Sequence, residues 1–164
     1  MESSSAHDSA VVEGGETLRE RILRLPQDYI GSVEKLTREI WVFEGGFMTR
    51  RMVTYVPGLY KIFDEILVYA AGNEQRDPSM DSLRVEVDVA RCRISIYYNG
   101  QGLPIELHPE AEGVYVPETT FGHLSNYEEV AGGSGLKLAN LFSTEFAIET
   151  VDNRLEKKYK RMIP

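Results

Sequence analysis

The sequence predicts an α/β fold of the α+β two-layer sandwich type, with helices covering one face of a sheet. Three observations carry this. Leu59, Ile62, Phe63, Ile66 and Ala70 recur at helical spacing and form one apolar face. Leu83, Val85, Val87 and Val89 alternate with Arg84, Glu86 and Asp88, the period of a half-buried strand. Two β-rich pairs, 40–43 with 51–55 and 145–150 with 154–160, each bracket a turn signal.

From the start, residues 1–15 are small, polar and poor in apolar groups, so a disordered tail is expected there. Residues 16–164 then read as one partial domain. Leu18, Ile22 and Leu23 mark a short amphipathic helix that Pro26 ends, because an interior proline loses a hydrogen bond and clashes with the preceding turn. Glu44-Gly45-Gly46 joins the first two strands as a hairpin, and a helix of about four turns follows from Pro57. Asp77-Pro78-Ser79 breaks it. The alternating strand from Leu83 then pairs with Ile94-Ser95-Ile96-Tyr97-Tyr98. A long irregular stretch holds the glycine-rich pieces Gly100-Gln101-Gly102 and Gly132-Gly133-Ser134-Gly135, and a short helix over 136–142 follows. Loops of this length are usually functional. The last hairpin turns about Asp152-Asn153. A sheet that ends there leaves an edge or an apolar face uncovered, so the fold is expected to be incomplete at its C-terminal end.

Composition excludes several classes of function. Hydrophobic residues make up 42% and charged residues 27%, which suits a globular chain. No stretch approaches the roughly 20 apolar residues that span a bilayer, and no basic-then-apolar signal opens the chain, so no membrane role and an intracellular location are expected. The single Cys92 cannot form an internal disulfide, and His7, His108 and His123 are too widely spaced for a metal-ligand cluster. A net charge of −8 makes direct DNA binding poor, so any DNA role is expected to be indirect. The basic run Lys157, Lys158, Lys160 and Arg161 reads as the solvated face of a strand.

On the helix from Pro57, Glu65, Tyr69 and Asn73 fall at i, i+4 and i+8 and share one side. Asn99-Gly100-Gln101-Gly102 follows a strand, and a second glycine-rich loop runs into a helix carrying Lys137. That is the order of pieces a nucleotide pocket uses. Each piece alone has a plainer reading, since a glycine pair after a strand also makes a simple turn and a helical Glu is often a solvated charge.

With those residues in place, the chain resembles the N-terminal ATPase domain of eukaryotic type IIA DNA topoisomerases, members of the gyrase, chaperone, histidine-kinase and MutL ATPase superfamily. The resemblance runs almost continuously over 26–160. It rests on Tyr29-Ile30-Gly31-Ser32, the phrase over 56–68, Gln75-Arg76-Asp77-Pro78, Val114-Tyr115-Val116-Pro117, Phe121-Gly122 and Asn140-Leu141-Phe142-Ser143-Thr144. Ser79-Met80-Asp81-Ser82 and Thr144-Glu145-Phe146 look most like the plant branch. A histidine-kinase-like or MutL-like member would lack the 56–68 phrase.

The resemblance implies an ATP-binding gate domain that uses ATP and Mg²⁺ in ATP-dependent DNA strand passage, in the nucleus. It implies Glu65 as general base for the water attacking the γ-phosphate. It implies Asn73, Asn99, Gly100, Gly102, Ser125, Asn126, Gly133, Gly135 and Lys137 as nucleotide contacts. Three positions depart from the family. Tyr69 stands where an Asn holds Mg²⁺, and a neutral phenol is a poor ligand for a hard cation, so no metal ligand is expected there. Gly72 stands where the family has Asp, and Tyr98 where a short acceptor reads adenine. The lid around Ser125-Asn126-Tyr127 and Gly132-Gly133-Ser134-Gly135 is also short, which removes backbone amides from the phosphates. A degenerate nucleotide site follows, with Glu65 idle. The alternative is a non-catalytic interaction or dimerisation module, or relic, of that domain, pairing with itself or with a full-length topoisomerase II.

Overall fold

A computed structural model describes residues 15–122 and 135–163. The expected tail over 1–15 lies almost wholly outside them. Helix α1, Leu18–Arg24, starts on a reciprocal cap: the Glu20 amide donates to Thr17 Oγ1 at 3.2 Å, and the Thr17 amide donates to the Glu20 carboxylate at 2.8 Å. Leu18 and Ile22 turn inward. Ile22 is fully buried, worth about 1.5–3 kcal/mol, whereas Leu23, expected on the same face, is largely exposed. A 3₁₀ turn, Pro26–Asp28, leads to Ile30, which packs on Gly58. The Gly58 amide donates to the Ser32 carbonyl at 2.8 Å, and a Cβ on Gly58 would lie 3.0 Å from Ile30 Cδ1, so this glycine allows the close approach.

Strands β1, Leu36–Glu44, and β2, Phe47–Tyr55, pair antiparallel from Leu36↔Tyr55 to Glu44↔Phe47. Gly45 and Gly46 make the turn at φ 62° and 94°, the positive values a two-residue hairpin of matching twist needs. Trp41, Phe43, Met48 and Met52 share one face of this hairpin and are exposed. Arg50 lies 5.8 Å over the Trp41 ring.

Helix α2, Pro57–Arg76, has 20 residues, about five and a half turns rather than four. Pro57 sits in its first turn, where a missing amide costs nothing, and Gly72 does not end it. Strands β3, Leu83–Asp88, and β4, Arg93–Tyr98, form the second ladder. Their apolar face is more open than the alternation predicts, since Val87 is 63% exposed. The ladder meets α2 through β4.

The stretch expected to be irregular contains helix α3, Val116–Phe121, opened by Pro117 and preceded by a Leu107↔Tyr115 bridge. Helix α4, Gly135–Leu141, matches the helix expected over 136–142. Strands β5, Phe146–Asp152, and β6, Lys157–Ile163, form the third ladder. Its second strand begins three residues later than expected. The Asp152 carboxylate accepts from the Arg154 and Leu155 amides at 2.9 and 3.2 Å, so the turn starts after Asp152 and takes four residues.

The secondary-structure content is the mixed α+β kind expected. Among the described residues, however, the strands form three two-stranded ladders and not one continuous sheet. One apolar cluster lies among the helices, and a second ties helices to the third ladder. Leu18, Ile22, Ile30, Leu138 and Leu141 bind α1 to α4, with Ile62 of α2 against them. Phe121, Ile148 and Ile163 join α3, β5 and β6, with Ile66, Tyr69, Leu103, Leu136 and Phe146 packed on that group. No described helix is long and apolar enough to cross a membrane.

Candidate functional site

The inward side of α2 carries the row Glu65, Tyr69 and Asn73 as the spacing predicts, and α4, α3 and the turn after β4 close on it. Glu65 is held from both sides. Lys61, one turn earlier, forms an ion pair with its carboxylate. Gly135, the buried first residue of α4, sits so close that a Cβ there would overlap the Glu65 Cγ, Cδ and Oε2 atoms.

Tyr69 is part of the second apolar cluster. Its ring meets Phe121 edge to face at 5.7 Å between centroids, and the Arg76 guanidinium lies 5.3 Å over the ring. Burial pushes its phenol up to about 12; Tyr98 adds to the rise and Arg76 opposes it. The Tyr98 phenol is also raised by burial, with Arg76 again opposing. Asn73 is buried, and its Nδ2 makes a weak contact with Met80 Sδ at 3.7 Å.

The turn after β4 is locked to the end of α2. Gly100 has φ +98°, and a Cβ there would lie 2.6 Å from Asp77 Oδ2 and 3.5 Å from Asn73 Nδ2. The Gln101 amide donates to the Asp77 carboxylate, which also accepts from the Ser79 amide at 3.1 Å and hydroxyl at 2.6 Å. The Ser79 hydroxyl first, then these amides, hold Asp77 below the usual carboxylate range. Both ends of the Asn99 amide are engaged. Its Oδ1 accepts from the Asp81 and Ser82 amides at 3.2 and 2.9 Å, and its Nδ2 donates to Asp81 Oδ1 at 2.8 Å.

Gly102 faces β5. A Cβ on it would run into the Val151 carbonyl oxygen and the Thr150 hydroxyl. The chain then follows β5 closely: the Leu103 amide donates to Thr150 Oγ1 at 3.1 Å and the Ile105 amide to Asp152 Oδ2 at 3.2 Å. Burial pushes the Asp152 carboxyl up, but the Ile105, Leu155 and Arg154 amides, with the Arg154 charge, bring it below the usual range. Gly72 meets nothing within 4 Å, so a side chain there would enter open space.

Thus the structure brings Glu65, Tyr69, Asn73, Tyr98, Gly100 and Gly135 around one side of α2, and Gly102 lies two residues further along the same turn. Lys137 lies half-buried in α4. Ser125, Asn126 and Gly133 lie outside the described residues. Sequence reasoning missed Lys61 and Arg76 as neighbours of this row. Both were legible as helical spacings, four residues before Glu65 and seven after Tyr69.

The crystal structure of the ATPase region of Saccharomyces cerevisiae topoisomerase II superposes with a TM-score of 0.79 at 43% identity, covering 90% of this chain and 42% of that one. The chain is 55% identical over 156 residues to DNA topoisomerase 2 of Pisum sativum, which covers 89% of the chain. The chain is homologous to the ATPase region of eukaryotic DNA topoisomerase II. DNA topoisomerase 2 of Arabidopsis thaliana is 50% identical over 173 residues, covering 94% of the chain. The chain spans 11% and 12% of the length of these two relatives. No protein-family model matches it.

Proposed function

We propose that this chain keeps the nucleotide-binding fold of a topoisomerase II ATPase region without its hydrolytic chemistry, and serves as a non-catalytic interaction module. The observation that carries this is the packing of Tyr69. A magnesium site needs small oxygen ligands at short distance. Here the position offers a neutral phenol whose ring is packed on Phe121 beneath Arg76. The residues present therefore do not fit a magnesium-bound nucleotide, and no hydrolytic step is assigned to Glu65. The Asn99 amide engaged with Asp81 and Ser82, and the Glu65 carboxylate held by Lys61 beneath Gly135, support the same reading. Partners of the module are a second copy or a full-length topoisomerase II, with DNA reached only through that partner in the nucleus.

A second reading, ATP binding and turnover in a DNA strand-passage gate, is favoured by the retention of Glu65, Asn73 and Lys137 in a chain this close to its relatives. Calorimetry and thermal melting with Mg-ATP separate the two. A ligand that binds the native state stabilises it by RT ln(1 + [L]/Kd). The expected result is no shift in Tm at several millimolar Mg-ATP and no phosphate release. An upward shift at micromolar ATP, or measurable turnover, favours the second reading and sinks the first.

A further inference from the structure

The side chain at position 69 does more than remove a ligand. Its ring packs on the cluster of Phe121, Ile148 and Ile163, which also receives Ile66 of α2, Leu136 of α4 and Leu103 of the turn after β4. Phe121 ends α3, and its ring is the one Tyr69 meets edge to face. Tyr69 thus stands where α2, α3, α4 and the third ladder converge. Arg76 closes over the ring from the solvent side, which gives the aromatic a charged cover of its own chain.

In a nucleotide-binding domain, a ligand seated between such elements holds them together and stabilises the assembled state by mass action. We infer that in this chain Tyr69 has taken over that part. Its ring is a built-in occupant that keeps α3 and α4 docked on α2 in the absence of any nucleotide. This rests on the proposed function above, in that the space beside α2 is read as a former nucleotide site. It deepens that reading by naming how the site is regulated: its elements are held in one arrangement by a covalent resident and have lost their dependence on ligand. The part is played by the shape of the ring. The hydroxyl, raised to about 12, stays a phenol throughout the physiological range.

Amide hydrogen exchange of the full chain without nucleotide tests this, comparing the parent with Tyr69→Phe and Tyr69→Asn. Protection in 116–121 and 135–141 is the readout, and the β1–β2 hairpin, remote from the cluster, is the internal reference. Tyr69→Phe is expected to exchange as the parent does. Tyr69→Asn is expected to exchange on the order of 30-fold faster or more in those two segments, because a large packed side chain has been cut back, with the hairpin unchanged. If Tyr69→Asn does not fold, Tyr69→Leu carries the same comparison. Unchanged protection in 116–121 and 135–141 overturns the inference. So does equal acceleration in the hairpin, which marks Tyr69 as general core packing, and so does loss of protection in Tyr69→Phe, which assigns the effect to the hydroxyl. Tight Mg-ATP binding by the parent would overturn the proposed function while leaving this exchange result standing, so the two failures are separate.

Discussion

Substituting Gly102→Ala distinguishes a glycine kept for a ligand from a glycine kept for packing. A Cβ on Gly102 would overlap the Val151 carbonyl oxygen and the Thr150 hydroxyl, both on β5, and the first is backbone that cannot swing aside. Overpacking of this kind costs about 1–3 kcal/mol. Moving the chain off β5 also loses the 3.1 Å bond from the Leu103 amide to Thr150 Oγ1, worth about 1 kcal/mol. For a domain of this size each kcal/mol moves Tm by about 2–4 °C, so a fall of roughly 4–16 °C is expected with no nucleotide present. Gly72→Ala is the control. Nothing lies within 4 Å of a Cβ at Gly72, which lies within α2, four residues before its last residue. Alanine there is favoured by about 0.5–1 kcal/mol, so Tm is expected to rise by about 1–4 °C. Thermal melting by circular dichroism at one protein concentration measures both. If Gly102→Ala melts with the parent, the close approach to β5 is not what selects glycine, and a phosphate-cradling role regains its footing.

Two further predictions concern the aromatic replacements. A phenol whose folded pKa lies above its unfolded value lends stability below about pH 10 that is lost as pH rises toward about 12. Melting between pH 9 and 12 is therefore expected to fall more steeply for the parent than for Tyr69→Phe, and parallel profiles would refute the burial of the Tyr69 hydroxyl. Restoring a short acceptor by Tyr98→Asn is expected to improve ADP binding in EDTA by roughly 1–3 kcal/mol, with Tyr69→Asn adding only when magnesium is present. Tight binding in EDTA from Tyr69→Asn alone would show that Tyr69 does not occupy the metal position.

Local order was legible from the chain alone wherever a short-range rule decides the outcome. The period of 59–70 made α2, the glycine pair Gly45-Gly46 made the first hairpin, and the alternation of 83–88 made β3. The spacing of Glu65, Tyr69 and Asn73 likewise put them in one row, because helical geometry alone sets i, i+4 and i+8. The length of α2 and the hidden α3 were not legible, since Gly72 and the polar stretch before Val116 carry weak local preference that tertiary contacts override. Whether a strand face is covered is also a long-range matter, as Val87 shows by alternating like a buried residue and yet standing exposed.

The same division runs through the site. Residue identity by itself determined that position 69 carries a phenol and position 72 no carboxylate. Only the tertiary structure decided what the phenol does, because the Phe121 ring it meets comes from 52 residues further along the chain. Only the fold, too, decided which atoms lie against Gly100 and Gly102, Asp77 on one side and the β5 backbone on the other. A glycine states that a side chain is not tolerated or not needed; which atoms exclude it depends on partners that sequence spacing cannot name.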